Sequence, residues 1–279
     1  MMIKPYFEDN QFKLYFGDVL EVLKDFDKAA FDLIFADPPY FLSNNGITCR
    51  SGKMVSVNKG EWDQSQGFEA DIKFIESWLK ACRRVLKQDG SIWISGTLHI
   101  IFKIGYLLEK NGFDILNDII WYKPNAPPNL ACKYFTHSHE ILLWAKKNKQ
   151  SHHRFNYHLM KTWNEPKDKL KNADKQMRSV WSIPLIPPKE KELGKHPTQK
   201  PLELLNRIIS SSTQKEDTVL DPFVGSGSTG IICSILNRKF VGIDNEKAYL
   251  DYAIKRYKDK SKKNLIYFPK TDNKITNFF

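Results

Sequence analysis

Lys13 to Phe16 alternates weakly between polar and apolar residues and ends in Gly17-Asp18, a short strand, after which Val19, Leu20, Val22, Leu23 and Phe26 follow the period of a helix. Phe31 to Ala36 is an apolar run broken only by Asp32 and reads as a buried strand. The stretch from Phe41 to Asp63 is rich in Ser, Asn, Gly and Lys, and a connection of that length reads as a lid or a binding loop. Phe68 to Leu86 has the spacing of an amphipathic helix, closed by Lys87-Gln88-Asp89-Gly90, and Ser91 to Ser95 is an apolar strand. A helix over Leu98 to Asn111 stops at Gly112. Phe113 to Tyr122 and Glu140 to Ala145 are two more strands, with Lys123-Pro124-Asn125-Ala126-Pro127-Pro128 between them as an extended loop. Periodicity fades from Lys146 to about Lys195 and resumes at Pro201, with a helix through Leu204, Leu205, Ile208 and Ile209. Thr218 to Leu220 is then a strand, Ile231 to Leu236 a helix, Phe240 to Ile243 a strand ending in Asp244, and Ala248 to Tyr257 the last helix. This alternation predicts an α/β fold, a mostly parallel sheet with helices on both faces, and no internal repeat is visible.

A chain of 279 residues with 41% hydrophobic and 13% aromatic residues can bury a proper core, as one large domain or one domain with an insertion. No apolar run approaches the roughly 18 residues that span a bilayer, and Met1 to Asn10 lacks the basic-then-apolar order of a signal peptide, so a cytoplasmic protein is expected. Cys49, Cys82, Cys132 and Cys233 are scattered, which argues against a zinc site or a disulfide framework. The net charge of +11 is uneven: Lys146 to Lys200 holds 14 Lys/Arg against 5 Asp/Glu, and Lys255 to Phe279 holds 8 against 2, leaving the rest slightly acidic. Cations gathered on two segments suit phosphate contacts, with solvated lysine-rich loops as the alternative. In the first segment they interleave with Phe155, Tyr157, Trp163 and Trp181, beside His152 and His153; those rings suit base contacts, or a small core of their own.

The chemistry sits in two turns. Asp37-Pro38-Pro39-Tyr40 follows the strand at Ala36; its prolines fix φ and supply no N–H, so the turn is stiff. An acidic side chain, a free carbonyl and an aromatic face within four residues suit the gripping of a planar, amine-bearing ring, although Asp-Pro is also an ordinary turn dipeptide. In the second turn Gly225-x-Gly227-x-x-Gly230 lies between strand and helix, and Asp244 follows Gly225 by nineteen positions at the end of the next strand. Glycines there let backbone approach a ligand, and the acidic residue can accept from ribose hydroxyls. Alone this would suit NAD as well as S-adenosylmethionine. The first turn decides between them, because methyl transfer to a ring amine needs acceptors for the amine protons and hydride transfer does not. His137, His139 and His196 are too dispersed for metal ligands, and no metal is expected.

These residues resemble the adenine-N6 DNA methyltransferases of the β arrangement, in which the Asp-Pro-Pro-Tyr loop precedes the glycine loop, and within them the GATC-modifying second methyltransferases of Dpn-type restriction systems. The likeness runs from Phe16 to about Tyr257 and includes Phe35 to Asn44, Lys59-Gly60-Glu61-Trp62-Asp63, Tyr134-Phe135-Thr136-His137-Ser138 and Lys195-His196-Pro197-Thr198-Gln199-Lys200-Pro201. It implies a Rossmann-like, circularly permuted S-adenosylmethionine-dependent fold. It further implies that Asp37 and the Pro38 carbonyl accept from the target N6 amine, with Pro39 stiffening the turn and Tyr40 stacking on the flipped base. Cofactor contacts are implied for Asp18, Asp37, Asp221, Phe223, Gly225, Gly227 and Asp244, and for Thr198, Gln199 and Lys200. The expected organisation is a catalytic domain whose first part covers 1–145 and whose cofactor-binding part covers 196–257, a basic DNA-recognition insertion over 146–195, and a basic tail over 258–279. DNA, double-stranded or single-stranded, is the implied partner, and relatives of this arrangement often pair, which makes a homodimer a candidate. Cytosine-N4 methyltransferases are the nearest rivals, but they usually carry Ser in place of Asp37; a catalytically silent nucleic-acid binder and a dinucleotide oxidoreductase are the others.

Overall fold

Nine strands hydrogen-bond into one sheet in the computed structural model, which describes residues 3–43, 47–50, 53–56, 63–130, 132–163, 175–191, 193–194 and 197–263. Asn44, Lys59 to Trp62, Lys195, His196 and the end of the chain beyond 263 lie outside the described residues, as do 164–174 of the basic segment. The elements run β1 (Phe7–Asp9), β2 (Phe12–Phe16), α1 (Val19–Lys24), β3 (Phe31–Ala36), the hairpin β4 (Ile47–Arg50) and β5 (Lys53–Ser56), α2 (Phe68–Val85), β6 (Leu86–Gly96), α3 (Ile101–Lys110), β7 (Asp114–Tyr122), β8 (His139–Lys146), α4 (Tyr157–Thr162), β9 (Val180–Ser182), α5 (Leu202–Ser212), β10 (Thr218–Asp221), α6 (Ser228–Ile235), β11 (Lys239–Asp244) and α7 (Lys247–Lys263). The sheet order is β1-β2-β11-β10-β3-β6-β8-β7-β9. The five strands from β2 to β6 are mutually parallel, and β8 alone runs against both its neighbours, β6 and β7. Among the described residues no helix is long and apolar enough to cross a membrane.

Buried apolar residues form one layer on each face, as the alternation predicts. α1, α2 and α3 cover one face through Leu23, Trp78, Leu79, Ile104 and Leu108, and α5, α6 and α7 cover the other through Leu204, Ile208, Ile231, Leu250 and Ala253. The central strand β3 feeds both, Ile34 and Ala36 to the first layer and Leu33 and Phe35 to the second, because successive side chains of a strand point to opposite faces. Asp32, the polar interruption in that run, pairs with Lys87 at 2.8 Å and accepts from the Thr218 N–H at 2.9 Å.

That pairing explains one departure from the sequence pattern. Lys87 to Gly90 does not form a separate helix-ending turn; the strand begins at Leu86, and its pairing with β3 shifts register between Phe31 and Leu33. A Cβ on Gly90 would meet the Asp32 carbonyl at 2.9 Å and Leu86 at 2.7 Å, so the irregularity needs glycine. The next helix starts at Ile101 rather than Leu98, the Thr97 carbonyl accepting from both Ile100 and Ile101 N–H.

The described parts of the basic segment pack on the sheet rather than standing apart. β9 extends the edge beside β7, and the Asn156 side chain donates to the Ser210 and Thr213 carbonyls at the end of α5, at 2.7 and 2.8 Å. Trp181 and Trp163 are buried; Trp181 packs on Trp93, which stacks on Trp144 with ring centroids 4.9 Å apart. For these two tryptophans the core reading holds, while Phe155 and Tyr157 each remain 40% exposed.

Candidate active site

Four adjacent parallel strands deliver an aspartate to the same edge of the sheet. Asp18 follows β2, Asp244 ends β11, Asp221 ends β10 and Asp37 follows β3. The carboxyl edge of such a sheet is where ligands bind in doubly wound folds. A cleft there is lined by Asp18, Asp37, Phe223, Gly225, Asp244 and Thr198 together with Phe74, Asn245 and Tyr249. A deeper extension reaches Lys200, Asp221, Ser226 and Thr229.

The glycine turn is built for close approach. Gly227 has φ +73° at the start of α6, and its Cβ would lie 2.7 Å from that of Ala253. Gly230 faces inward, where a Cβ would meet Phe12 and Phe240 at 2.3 and 2.5 Å, so helix and sheet can touch only without a side chain. Asp244 holds the turn: its carboxylate accepts from Gly225 N–H at 2.8 Å and Glu246 N–H at 2.9 Å. Asp221 accepts from Thr229 Oγ1 at 2.6 Å and Phe223 N–H at 3.1 Å. Asp18 caps α1 through Leu20 N–H at 2.8 Å and also lines the cleft.

Burial pushes the Asp221 carboxyl up to about 7, against the pull of its Thr229 and Phe223 hydrogen bonds. It likewise raises Asp244 to about 6, against its bonds to Glu246 and Gly225. An acidic rim whose carboxylates are uncomfortable without a counter-charge fits a cationic cofactor, and the sulfonium and ammonium of S-adenosylmethionine are such charges. Cofactor affinity is therefore expected to rise as pH goes from about 5 to about 7.5, read by titration calorimetry. Without cofactor the opposite trend is expected. The folded state binds more protons than the unfolded one between roughly pH 4 and 7, so these two groups lower stability as pH rises through that window, which urea unfolding will show.

Beside this rim lies a buried polar cluster around the Asp-Pro-Pro-Tyr turn. Asp37 Oδ1 accepts from the Tyr40 hydroxyl at 2.7 Å and Oδ2 from Lys200 Nζ at 2.5 Å. The Tyr40 oxygen also lies 3.2 Å from Ser95 Oγ, 3.3 Å from Glu140 Oε2 and 3.2 Å from Lys200 Nζ. Glu140 pairs with Lys123 at 2.5 Å and faces Lys200 at 3.6 Å. Burial alone would raise the Glu140 carboxyl, but Lys200 and Lys123 hold it down at about 2. Asp37 moves the other way: burial and the nearby Glu140 raise it, and Lys200 restrains the rise. The set has two carboxylates and two ammoniums, so its formal charges balance.

Asp63 supports the turn from behind. Fully buried, it accepts from the N–H groups of Tyr40, Phe41 and Leu42 at 2.8, 2.9 and 3.2 Å and from Ser43 Oγ at 3.0 Å, and holds Phe41 at φ +57°. Sequence reasoning assigned no role to Asp63, Glu140, Lys123 or Ser95; the residues were visible, but their pairing across the sheet edge is not a local pattern.

Three placements add contacts to those the resemblance implies. Tyr40 is only 5% exposed, packs into the core on the α2 side and gives its hydroxyl to Asp37. Gln199 gives its amide to the Glu190 carbonyl and accepts from Tyr252, bracing the chain rather than lining the cleft. Lys200 donates to Asp37 and Tyr40, and it lines the extension of the cleft together with Gly225 and Ser226 of the glycine turn. Asp18, Asp37, Asp221, Phe223, Gly225, Asp244 and Thr198 are brought together as expected.

The DNA methylase family of N6 and N4 enzymes matches residues 31–255, a span that holds both turns. This chain belongs to that family. It is 49% identical to the type II methyltransferase M2.MboI of Moraxella bovis over 92% of each chain. Against the type II methyltransferase M2.DpnII of Streptococcus pneumoniae it is 48% identical, over 95% of this chain and 96% of the relative. The crystal structure of the M1.HpyAVI-SAM complex superposes with a TM-score of 0.63 at 31% identity, over 87% of this chain and 97% of that one. This family member is thus an S-adenosylmethionine-dependent DNA methyltransferase with the Rossmann-like fold, and its glycine strand β10, late in sequence, lies at the centre of the sheet beside β3.

Proposed function

We propose that this methyltransferase modifies the N6 amine of adenine within GATC in DNA, as the second methyltransferase of a restriction-modification system. The observation that carries the reading is the aspartate that opens the catalytic turn, set in a chain nearly half identical, end to end, to M2.DpnII and M2.MboI. S-adenosylmethionine supplies an electrophilic methyl on a sulfonium when bound, and Asp18, Asp244, Gly225 and Phe223 are the residues to hold it.

This chain's own part is positioning and charge. The adenine N6 lone pair is delocalised into the ring and nucleophilic only when the nitrogen pyramidalises. Asp37 Oδ2 and the Pro38 carbonyl, accepting the two amine protons, favour that geometry. As the N–C bond forms and the methyl–sulfur bond breaks, its electron pair staying on sulfur, the amine becomes cationic, and the Asp37 carboxylate stabilises the charge and then takes a proton from it. Burial, which raises the affinity of Asp37 for a proton, suits that last step. The target must leave the base stack, with basic residues of 146–195 holding the backbone.

The test is transfer of labelled methyl from S-adenosylmethionine into matched duplexes and single strands with and without GATC, followed by digestion and identification of the modified base. N6-methyladenine confined to GATC is expected. N4-methylcytosine would overturn the assignment of the base, and N6-methyladenine at other sites the assignment of the sequence.

A further inference from the structure

Lys200 is buried, its side chain 7% exposed, and its ammonium lies on the very oxygen, Asp37 Oδ2, that the target amine needs. Both Asp37 oxygens are thus engaged by internal donors, Tyr40 on one and Lys200 on the other. A buried ammonium cannot simply leave, because an unpaired charge in that environment is costly. A second seat exists close by: Glu140 Oε2 is 3.6 Å from Lys200 Nζ, and Glu140 is already anchored by Lys123 and Ser95. The two seats share the Tyr40 hydroxyl, within 3.3 Å of the Asp37, Glu140 and Lys200 polar atoms, so a swing of the ammonium between them is short.

We propose that Lys200 is a positioning residue with two seats, holding Asp37 ionised and oriented until the target amine arrives and then shifting onto Glu140 as the amine takes its place. The proposal rests on Asp37 being the amine acceptor, but not on which base carries the amine. It differs from the cofactor-contact role implied by the family motif. The charged and titratable groups facing Asp37 are Lys200 from the stretch before α5, Glu140 from β8 with Lys123 behind it, Asp221 at the end of β10, and Tyr40 of its own turn.

Lys200 and Glu140 act on Asp37 with opposite sign, which gives the test its direction. Methyl transfer into unmethylated plasmid DNA is measured against pH for the intact enzyme and for K200Q, K200R and E140Q, with S-adenosylmethionine affinity measured separately. In K200Q the acidic limb of kcat/KM, which reports the free enzyme, is expected to move up by about 1–3 pH units, as Asp37 loses its cation. In E140Q it is expected to move down, as Asp37 loses a like charge, while kcat falls about tenfold because Lys200 has no second seat. K200R keeps the limb near its original position. Cofactor affinity changes less than about threefold throughout.

Limbs that stay put, or move the same way in K200Q and E140Q, overturn the proposal. So does a K200Q enzyme that loses cofactor affinity with its limb unmoved, which would make Lys200 a cofactor contact. If K200Q does not fold, K200R and E140Q decide by the same criteria. D37A separates the two levels. Retained activity in D37A removes the acceptor reading and the proposal with it, whereas an inactive D37A with unmoved limbs in the other variants removes the proposal alone.

Discussion

Replacing Asp37 by Ala is expected to lower methyl transfer by about 10²–10³-fold, the usual loss when one preorganised electrostatic contact to the reacting group is removed. Cofactor binding should change little, since Asp18, Asp244 and the glycine turn are untouched. The substitution also leaves the cluster with two lysines and one carboxylate, so Lys200 keeps only Glu140 as an anionic partner. A lower thermal midpoint will accompany the loss of rate. Single-turnover transfer at saturating DNA and cofactor, at a temperature where the variant is folded by circular dichroism, separates chemistry from stability. Asp37→Asn is expected to rescue only part of the rate: its oxygen can still accept from Lys200 while its NH₂ group donates to the Tyr40 hydroxyl, but the negative charge that stabilises the developing cation is lost.

The second large effect lies behind the catalytic turn. Asp63→Ala removes the acceptor of three backbone N–H groups and one hydroxyl at a fully buried position. Each buried donor left unsatisfied costs about 1–3 kcal/mol, and relaxation of the loop will recover part of the sum. A loss of about 3 kcal/mol is expected, read as a lower urea midpoint with an unchanged slope. Because the same contacts hold Phe41 in its left-handed conformation, the turn should also loosen and kcat fall by about 10–100-fold. Asp63→Asn should lie between, its oxygen still serving Tyr40 and Phe41 while its NH₂ opposes Leu42 N–H.

What the chain revealed in advance divides along a physical line. Phe31 to Ala36 read as a buried strand because its apolar run is local, and the rigid turn after it is written in two prolines. Gly225, Gly227, Gly230 and Asp244 were equally legible, since the steric demands that select glycine act within one strand-turn-helix unit. The Asp63 bracket and the Lys123, Glu140 and Lys200 cluster were not, because they join residues 17 to 163 positions apart and depend on strand order at the sheet edge. Tyr40 shows the limit within a motif: its aromatic ring was legible as a candidate face, but the bond from its hydroxyl to Asp37 was not. Trp163 and Trp181 could not be assigned from composition, because an aromatic beside lysines looks the same whether it meets a base or another tryptophan.

The strand order also shapes how the chain reaches its fold. β3 lies next to β10, and the bond from Thr218 N–H to Asp32 spans 186 positions. During synthesis β3 can pair with β6 well before β10 exists, so the centre of the sheet waits as an open edge until almost the last strand has left the ribosome. Long-range pairing of this kind slows folding and leaves unpaired backbone exposed in the meantime. An enzyme with its most polar cluster on one side of that gap and its glycine turn on the other gains its active site late and all at once, so a nascent chain stopped before β10 would have an unfinished sheet and no methyl transfer.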